Sequence, residues 1–353
     1  MLTRANNCLL ESQQFLTRLN NPTGLWVLPG SSKSQAGRVV AVAFISFVLL
    51  DIGNAKSFNM VVFTPAQVLT IGLGKAGRNV GLGRAQETTK IRRFQRHYGP
   101  NPTVVSLIWS TLQTTTVPDA IITKRALADF VNFLMALHHL KAYPVEEVLA
   151  NRFDVHEQTA RKWVHFYIKK LAALKESKVK WPNPLGASRF IISVDCVNFG
   201  VNEPRHPFLH KVKEYFDRKG GKAGVTYEIA LDLWSSRVVW MNGPFPAATG
   251  DQVIFTDFGL QAKMPAGTKA IADKIYESCD KIASHNSLDT DEVRDFKARA
   301  RARQESINAR LKSFGCLKQR FRHDIRLHNK DFVHACMVIC CFELENGSPL
   351  FNI

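Results

Sequence analysis

Acid is scarce in this chain. Its 353 residues hold 30 Asp and Glu against 47 Lys and Arg, a formal net charge of +17. Such a deficit points to a polyanionic partner, nucleic acid before an anionic membrane surface. Cysteine pairs at metal-ligand spacing are missing as well. The seven cysteines, an odd number, include no Cys-x-x-Cys, which argues against a disulfide framework or a structural zinc site. Free thiols fit a reducing compartment, cytosol or nucleus. Long apolar runs are also lacking. The longest, Val39 to Leu50, has twelve residues and follows a segment containing Arg4, Arg18, Lys33 and Arg38. It falls short of the ~20 residues that span a bilayer and reads as a buried strand or helix, so no membrane is expected. A hydrophobic share of 45% with 22% charged residues excludes wholesale disorder and suits a buried core, and the length suits about two domains.

Residues 1–91 show little amphipathic period and read as a poorly structured or divergent segment. Gly72, Gly74 and Gly77 form a G-x-G-x-x-G, the spacing of a dinucleotide-binding turn. Glu87 follows Gly77 by only ten residues and the intervening stretch makes a poor helix, so a basic Gly-rich linker is the preferred reading.

Residues 92–182 read as helical. Ala126, Phe130, Phe133, Leu134 and Leu137 recur at helical spacing, Pro118 interrupts, and Pro144 closes the stretch. His138-His139 at the helix end suits a cation there. A short helix over Val145 to Phe153, a turn at Asp154-Val155-His156 and a longer helix over Thr159 to Lys175 make a helix-turn-helix pattern. Trp163, Phe166, Tyr167, Leu171 and Leu174 form its expected apolar stripe. Arg161, Lys162, Lys169 and Lys170 are the candidate DNA contacts. Residues 152–189 hold nine Lys and Arg against three acids. An ordinary helical hairpin is the plainer reading, and the charge favours DNA. Trp181-Pro182-Asn183-Pro184 marks a boundary.

Residues 183–353 change character. RFIISVDCVNF, GVTYEIALDLW and VVWMNGPF read as strands, and TKAIAD as another short one. Helices follow over Val293 to Phe314 and Phe332 to Leu344, and strands followed by helices suggest a mixed α/β domain. Asp195 and Asp273 end apolar strands, and Glu305 lies on a basic helix. Singly, Glu305 could pair with Arg299, Arg301, Arg303 or Arg310. Together the three acids can converge and bind two hard cations, Mg²⁺ or Mn²⁺. Arg301, Asn308 and Lys312 share the face of Glu305 and suit a phosphate backbone. His323, His328, His334 and Cys336 fit no standard metal-ligand spacing, and His323 in the run RFRH suits phosphate contact or exposure.

These motifs carry a resemblance. SVDCVNFGVNEP (193–204), YEIALDLWSSRVVWMNGPFPA (227–247), IADKIY (271–276), RQESINARLKSFGCLKQRFRH (303–323) and VHACMVICCFELENGSPLF (333–351) make the chain similar to DDE transposases of the PIF/Harbinger superfamily. Asp195 with Pro204, Asp273 with Tyr276, and Glu305 with Asn308, Leu311 and Lys312 match its three acidic motifs. The likeness covers roughly 92–351. Ile275 stands where relatives carry Gly, and Ala248-Thr249-Gly250-Asp251 stands where they carry Ser-x-His-Asp, so Asp251 is an alternative to Asp273.

The resemblance implies an RNase H-like α/β nuclease domain behind a helix-turn-helix region. It implies cutting and joining of DNA at terminal inverted repeats and target sites. It further implies a nuclear location and a Myb/SANT-like DNA-binding partner, and an oligomer is compatible with it. An inactive, host-adopted relative acting as a scaffold for DNA or a Myb-like protein is the alternative. An RNA-binding protein is weaker, because no aromatic platform motif is seen.

Overall fold

The structure, a computed structural model, describes residues 62–77, 85–114, 126–181, 188–202, 213–218 and 220–353. The run Val39 to Leu50, Pro118, Pro182 to Pro184 and Pro204 lie outside these residues.

Among the described residues six longer helices come first: α1 (Pro65–Lys75), α2 (Glu87–Tyr98), α3 (Pro102–Thr114), α4 (Ala126–Ala142), α5 (Glu146–Phe153) and α6 (Glu157–Ala173), followed by a single turn of helix at Lys175–Lys178. The stretch read as a Gly-rich linker therefore begins as a helix. Thr64 caps α1: its hydroxyl accepts from the Gln67 amide, while Gln67 Oε1 accepts from the Thr64 amide (2.9 Å). Pro65 supplies a ready-made helical φ at the first position. Gly72 lies in this helix rather than in a phosphate-binding turn. A Cβ placed there would meet the Phe94 ring at 2.3 Å, so α1 and α2 cross where glycine alone fits. The Tyr98 hydroxyl donates to the Gly72 carbonyl (2.8 Å) and fixes the crossing.

The helix-turn-helix pattern is present as α5, a turn and α6. Asp154 adopts a left-handed conformation (φ 56°), and the Val155 amide donates to the Ala150 carbonyl (3.1 Å). His156 Nδ1 then accepts from the Gln158 amide and caps α6. The buried stripe of α6 is Ala160, Val164, Tyr167, Ile168 and Leu171. Trp163 and Phe166, expected in that stripe, are only half-buried. Their rings carry the ammonium groups of Lys162 and Lys170 at 5.5 and 5.0 Å.

The second half builds one sheet. Its strands are β1 (Phe190–Gly200), β2 (Phe216–Asp217), β3 (Lys222–Asp232), β4 (Val238–Pro246), β5 (Lys269–Ile271) and β6 (Ile282–Ala283). The long path runs β4–β3–β1–β5–β6, with β2 pairing one end of β3. β3 is antiparallel to its neighbours, while β1, β5 and β6 are parallel. Val197, Phe199, Tyr227 and Ile229 join a core shared with α2 to α6. Val194, Ala230 and Val239 join a second core over α7 (Asp251–Asp257), with Phe255 and Tyr276.

Two long helices follow the sheet, α8 (Asp291–Lys312) and α9 (Lys330–Glu345), with a single turn of helix at Gly315–Lys318 between them. Thr290 caps α8, and Asp291 and Glu292 in its first turn suit the helix dipole. α9 is buried nearly all round, from Phe332 to Leu344, and packs against α6. Cys336, Cys340 and Cys341 are core residues there. Among the described residues no helix is long and apolar enough to cross a membrane.

Candidate active site

Strand register brings the first two acids together. β1 and β5 run parallel with Ser193 opposite Ile271. Asp195 and Asp273 each follow two residues later, and the two-residue period of a strand keeps them on one side at one level. Asp195 does not end its strand as the sequence suggests. β1 continues five residues further to Gly200, paired with β3 throughout. The edge beyond β5 does end, and Asp273 caps a short 3-10 turn, its Oδ1 accepting from the Lys274 amide (2.7 Å).

α8 supplies the third acid. Two buried side chains pin it across the sheet. Gln304 Oε1 accepts from the Ser193 hydroxyl (3.0 Å), and its Nε2 donates to the Ile229 carbonyl (3.1 Å). The Arg303 guanidinium donates to the Leu233 and Ser235 carbonyls. Glu305, next in sequence, is thereby held at the pocket. Ser193, Val194, Asp195, Ile271, Asp273, Arg301, Gln304 and Glu305 line a pocket of about 70 Å³. Asp195 is half-buried, while Asp273 and Glu305 are exposed.

The charge state of Asp195 follows from its surroundings. Burial pushes its carboxyl up to about 6. The Cys196 amide and the Asn308 side chain oppose this, while the charges of Asp251 and Asp273 add to it. Asn308 Nδ2 donates to Asp195 Oδ2 (2.8 Å), and Asn308 Oδ1 is buried without a hydrogen-bond partner. Asp251 starts α7 and does not line the pocket, yet Asp195 feels its charge. Glu228, directly opposite Cys196 on β3, is fully buried. Its Oε2 accepts from the Trp240 indole (2.8 Å), and burial pushes its carboxyl up to about 7.

The donor set suits a hard divalent cation: three carboxylates on one pocket, with the unpartnered Asn308 oxygen beside them. As they stand, no three His, Cys, Asp or Glu among the described residues are grouped closely enough to hold a metal ion. Arg301 pairs with Asp273 instead (3.3 Å).

The remaining expected contacts divide. Lys162, Lys169 and Lys312 are exposed, and Lys170 is half-buried. Arg161 is bound to Glu146 through Nε (2.9 and 3.0 Å) and Nη2, so its charge is compensated within the helix pair. Arg301 and Asn308 face the pocket acids, as their spacing from Glu305 implies.

The histidines depart from expectation. His138 and His139 are buried rather than exposed cations at a helix end. Burial pushes His138 down to about 4 and His139 well below the usual range. His323 is half-buried, its Nε2 3.4 Å from that of His139. His165 and His328 pack beside it.

Sequence reasoning passed over Ser193, Gln304 and Glu228. Gln304 sits in the run RQES, and its partners lie far away in sequence, so spacing alone does not expose it.

Comparison with known proteins places these parts. Residues 194–341 match the family described as DDE superfamily endonuclease. Residues 130–174 match the helix-turn-helix of DDE superfamily endonuclease. No curated protein and no solved structure matches the chain. The first match spans β1 to most of α9 and contains all three pocket acids, while the second spans the turn between α5 and α6. Residues 194–341 are thus similar to DDE superfamily endonucleases and residues 130–174 to their helix-turn-helix, in a chain that sets a helical region ahead of a mixed α/β domain.

Proposed function

We propose that the chain is a metal-dependent DNA endonuclease and transposase of the PIF/Harbinger type, with an RNase H-like catalytic domain. One observation carries the reading: Asp195, Asp273 and Glu305 come from a central strand, a strand end and a later helix, yet line one pocket. The strand order β4–β3–β1–β5–β6, with β3 antiparallel to its neighbours, supports the fold assignment.

In this reading Asp195, Asp273 and Glu305 hold Mg²⁺ or Mn²⁺, as two ions, with Asp251 the alternative to Asp273. Bound divalent ions supply Lewis-acid stabilisation of phosphoryl oxygens and an activated water at neutral pH. The chain's own residues do the positioning. Asn308 orients the Asp195 carboxylate through its amide. Gln304 and Arg303 fix α8 so that Glu305 faces the pocket. Arg301 and Lys312 lie where they can pair with the phosphates flanking the scissile bond. Lys162 and Lys169 on α6 contact duplex DNA, at terminal inverted repeats and at target sites. A Myb/SANT-like partner and a nuclear location belong to the same reading.

The test is nicking of supercoiled plasmid carrying candidate element ends, in Mn²⁺ and in EDTA. Metal-dependent nicking by the parent chain and none by Glu305→Gln supports the reading. Equal nicking by both proteins contradicts it.

A second reading has its own support. The Arg301–Asp273 ion pair and the absence of a grouped three-donor site among the described residues fit an inactive, DNA-binding scaffold. Tight DNA binding without nicking in any divalent metal favours that reading.

A further inference from the structure

Helix α2 carries charge that neither the pocket nor the helix-turn-helix uses. Its sequence, ETTKIRRFQRHY, sets Lys90, Arg92, Arg93 and Arg96 against one acid, Glu87. Phe94 and Tyr98 are buried and anchor the helix on α1 at Gly72. At ~100° per residue, Arg92, Arg93 and Arg96 fall on the side away from those two rings. Arg92 and Arg96 are exposed, and Lys90 and Arg93 are half-buried.

This arrangement costs the helix stability. Arg92 and Arg96 stand one turn apart, where like charges repel. None of the four basic residues forms an ion pair with a described residue. Nor is the rest of the N-terminal sequence a source of counter-charge. Residues 1–61 contain only Glu11 and Asp51 as acids, residues 78–84 contain none, and residues 115–125 contain only Asp119, beside Lys124 and Arg125. On α6, by contrast, Arg161 has Glu146. No acid of a described residue balances the charge on α2, which leaves it available to a polyanion.

The basic face also continues onto the helix-turn-helix. His97, beside Arg96, has its carbonyl accepting from His138 Nδ1 on α4 (2.9 Å). Its own Nδ1 lies 3.5 Å from Arg152 Nη1, at the end of α5. Arg152 is exposed. The matched helix-turn-helix, residues 130–174, stops short of α2.

We propose that α2, together with Arg152, is a second surface for duplex DNA, gripping the phosphate backbone without reading sequence. The proposal rests on the DNA-binding reading of the chain and adds a site to it. Guanidinium groups suit the task because their planar forks pair with phosphate oxygens through two hydrogen bonds. Such contacts position a protein on a duplex and carry no sequence information.

The experiment is fluorescence anisotropy of the full chain on two labelled duplexes, an element end and an unrelated sequence, across a salt series. The parent is compared with Arg92→Gln/Arg96→Gln and with Lys162→Ala/Lys169→Ala, with circular dichroism reporting the fold of each. Removing two phosphate contacts on α2 should make the slope of log K against log salt shallower by about two, at ~0.9 per contact. Affinity should fall by a similar factor on both duplexes, whereas the α6 variant should lose more on the element end. Unchanged affinity and slope for the α2 variant, with weakened binding by the α6 variant, overturns the α2 surface alone. Absence of salt-dependent binding by the parent overturns the surface and the DNA-binding reading together.

Discussion

Asn308 Nδ2 donates a hydrogen bond to Asp195 Oδ2 at 2.8 Å, joining α8 to β1 across 113 positions of sequence. The carboxylate held this way is the most deeply placed acid of the pocket. Its orientation depends on a neutral amide that carries no charge of its own. Asn308→Ala should fold and bind DNA. Its Mn²⁺ affinity and nicking rate should both fall by about 10–100-fold, the usual cost of losing a supporting partner at a metal site. Titration calorimetry with Mn²⁺ and plasmid nicking check the two effects.

Arg301 holds Asp273 in an exposed ion pair. A divalent cation at Asp273 competes with that guanidinium. Arg301→Ala should therefore bind Mn²⁺ about two- to fivefold more tightly, a modest change because exposed pairs contribute little. The same variant should bind DNA more weakly, since a phosphate contact is lost. Calorimetry and anisotropy on one protein batch separate the two changes.

Glu228 gives a pH dependence with a definite sign. Its carboxyl is raised to about 7 in the folded chain by burial, against an ordinary value of 4.5. The folded state thus holds the proton over that interval while the unfolded chain releases it, so stability from this group is full below 4.5 and is lost as pH rises toward 7. Glu228→Gln keeps an oxygen to accept from the Trp240 indole and carries no charge. It should match the parent at pH 4.5 and exceed it above pH 7, by on the order of 3 kcal/mol. Urea unfolding at the two pH values measures the difference.

Gly72 tests the helical half. A Cβ there meets Phe94 at 2.3 Å. Gly72→Ala should destabilise the chain by about 1–3 kcal/mol, the cost of overpacking a filled contact. Mn²⁺ binding should stay unchanged, because the pocket residues lie on β1, β5 and α8 and the segments beside them. Denaturant midpoints and calorimetry check the pair of outcomes.

These residues also show how far the sequence can be read. Asp195, Asp273 and Glu305 stand out in the sequence because each sits in a motif whose apolar or basic flanks mark a strand or a helix. Their convergence in one pocket follows from the Ser193–Ile271 register, which turns two similar strand sequences into neighbours. The helix-turn-helix was legible from its local period and turn.

Other features depend on distant partners. Gly72 reads as part of a glycine-rich motif until Phe94 and Tyr98 pack on it. Arg161 reads as a DNA contact until Glu146 of the preceding helix reaches it. The burial of His138 and His139 is set by neighbours such as Phe153 and His323, which local spacing does not reveal. The extent of β1 past Asp195 depends on β3, whose Gly224 accommodates the Asn198 side chain opposite the strand's far end.

The central claim is that Asp195, Asp273 and Glu305 form one divalent-cation site. Iron-directed cleavage tests it most directly. Fe²⁺ is bound in place of Mg²⁺, ascorbate and peroxide generate hydroxyl radicals at the metal, and mass spectrometry maps the backbone breaks. The account predicts breaks clustered near residues 195, 273 and 305, suppressed by excess Mg²⁺ and by Asp195→Asn. Breaks elsewhere, or a pattern that Asp195→Asn leaves unchanged, would contradict it.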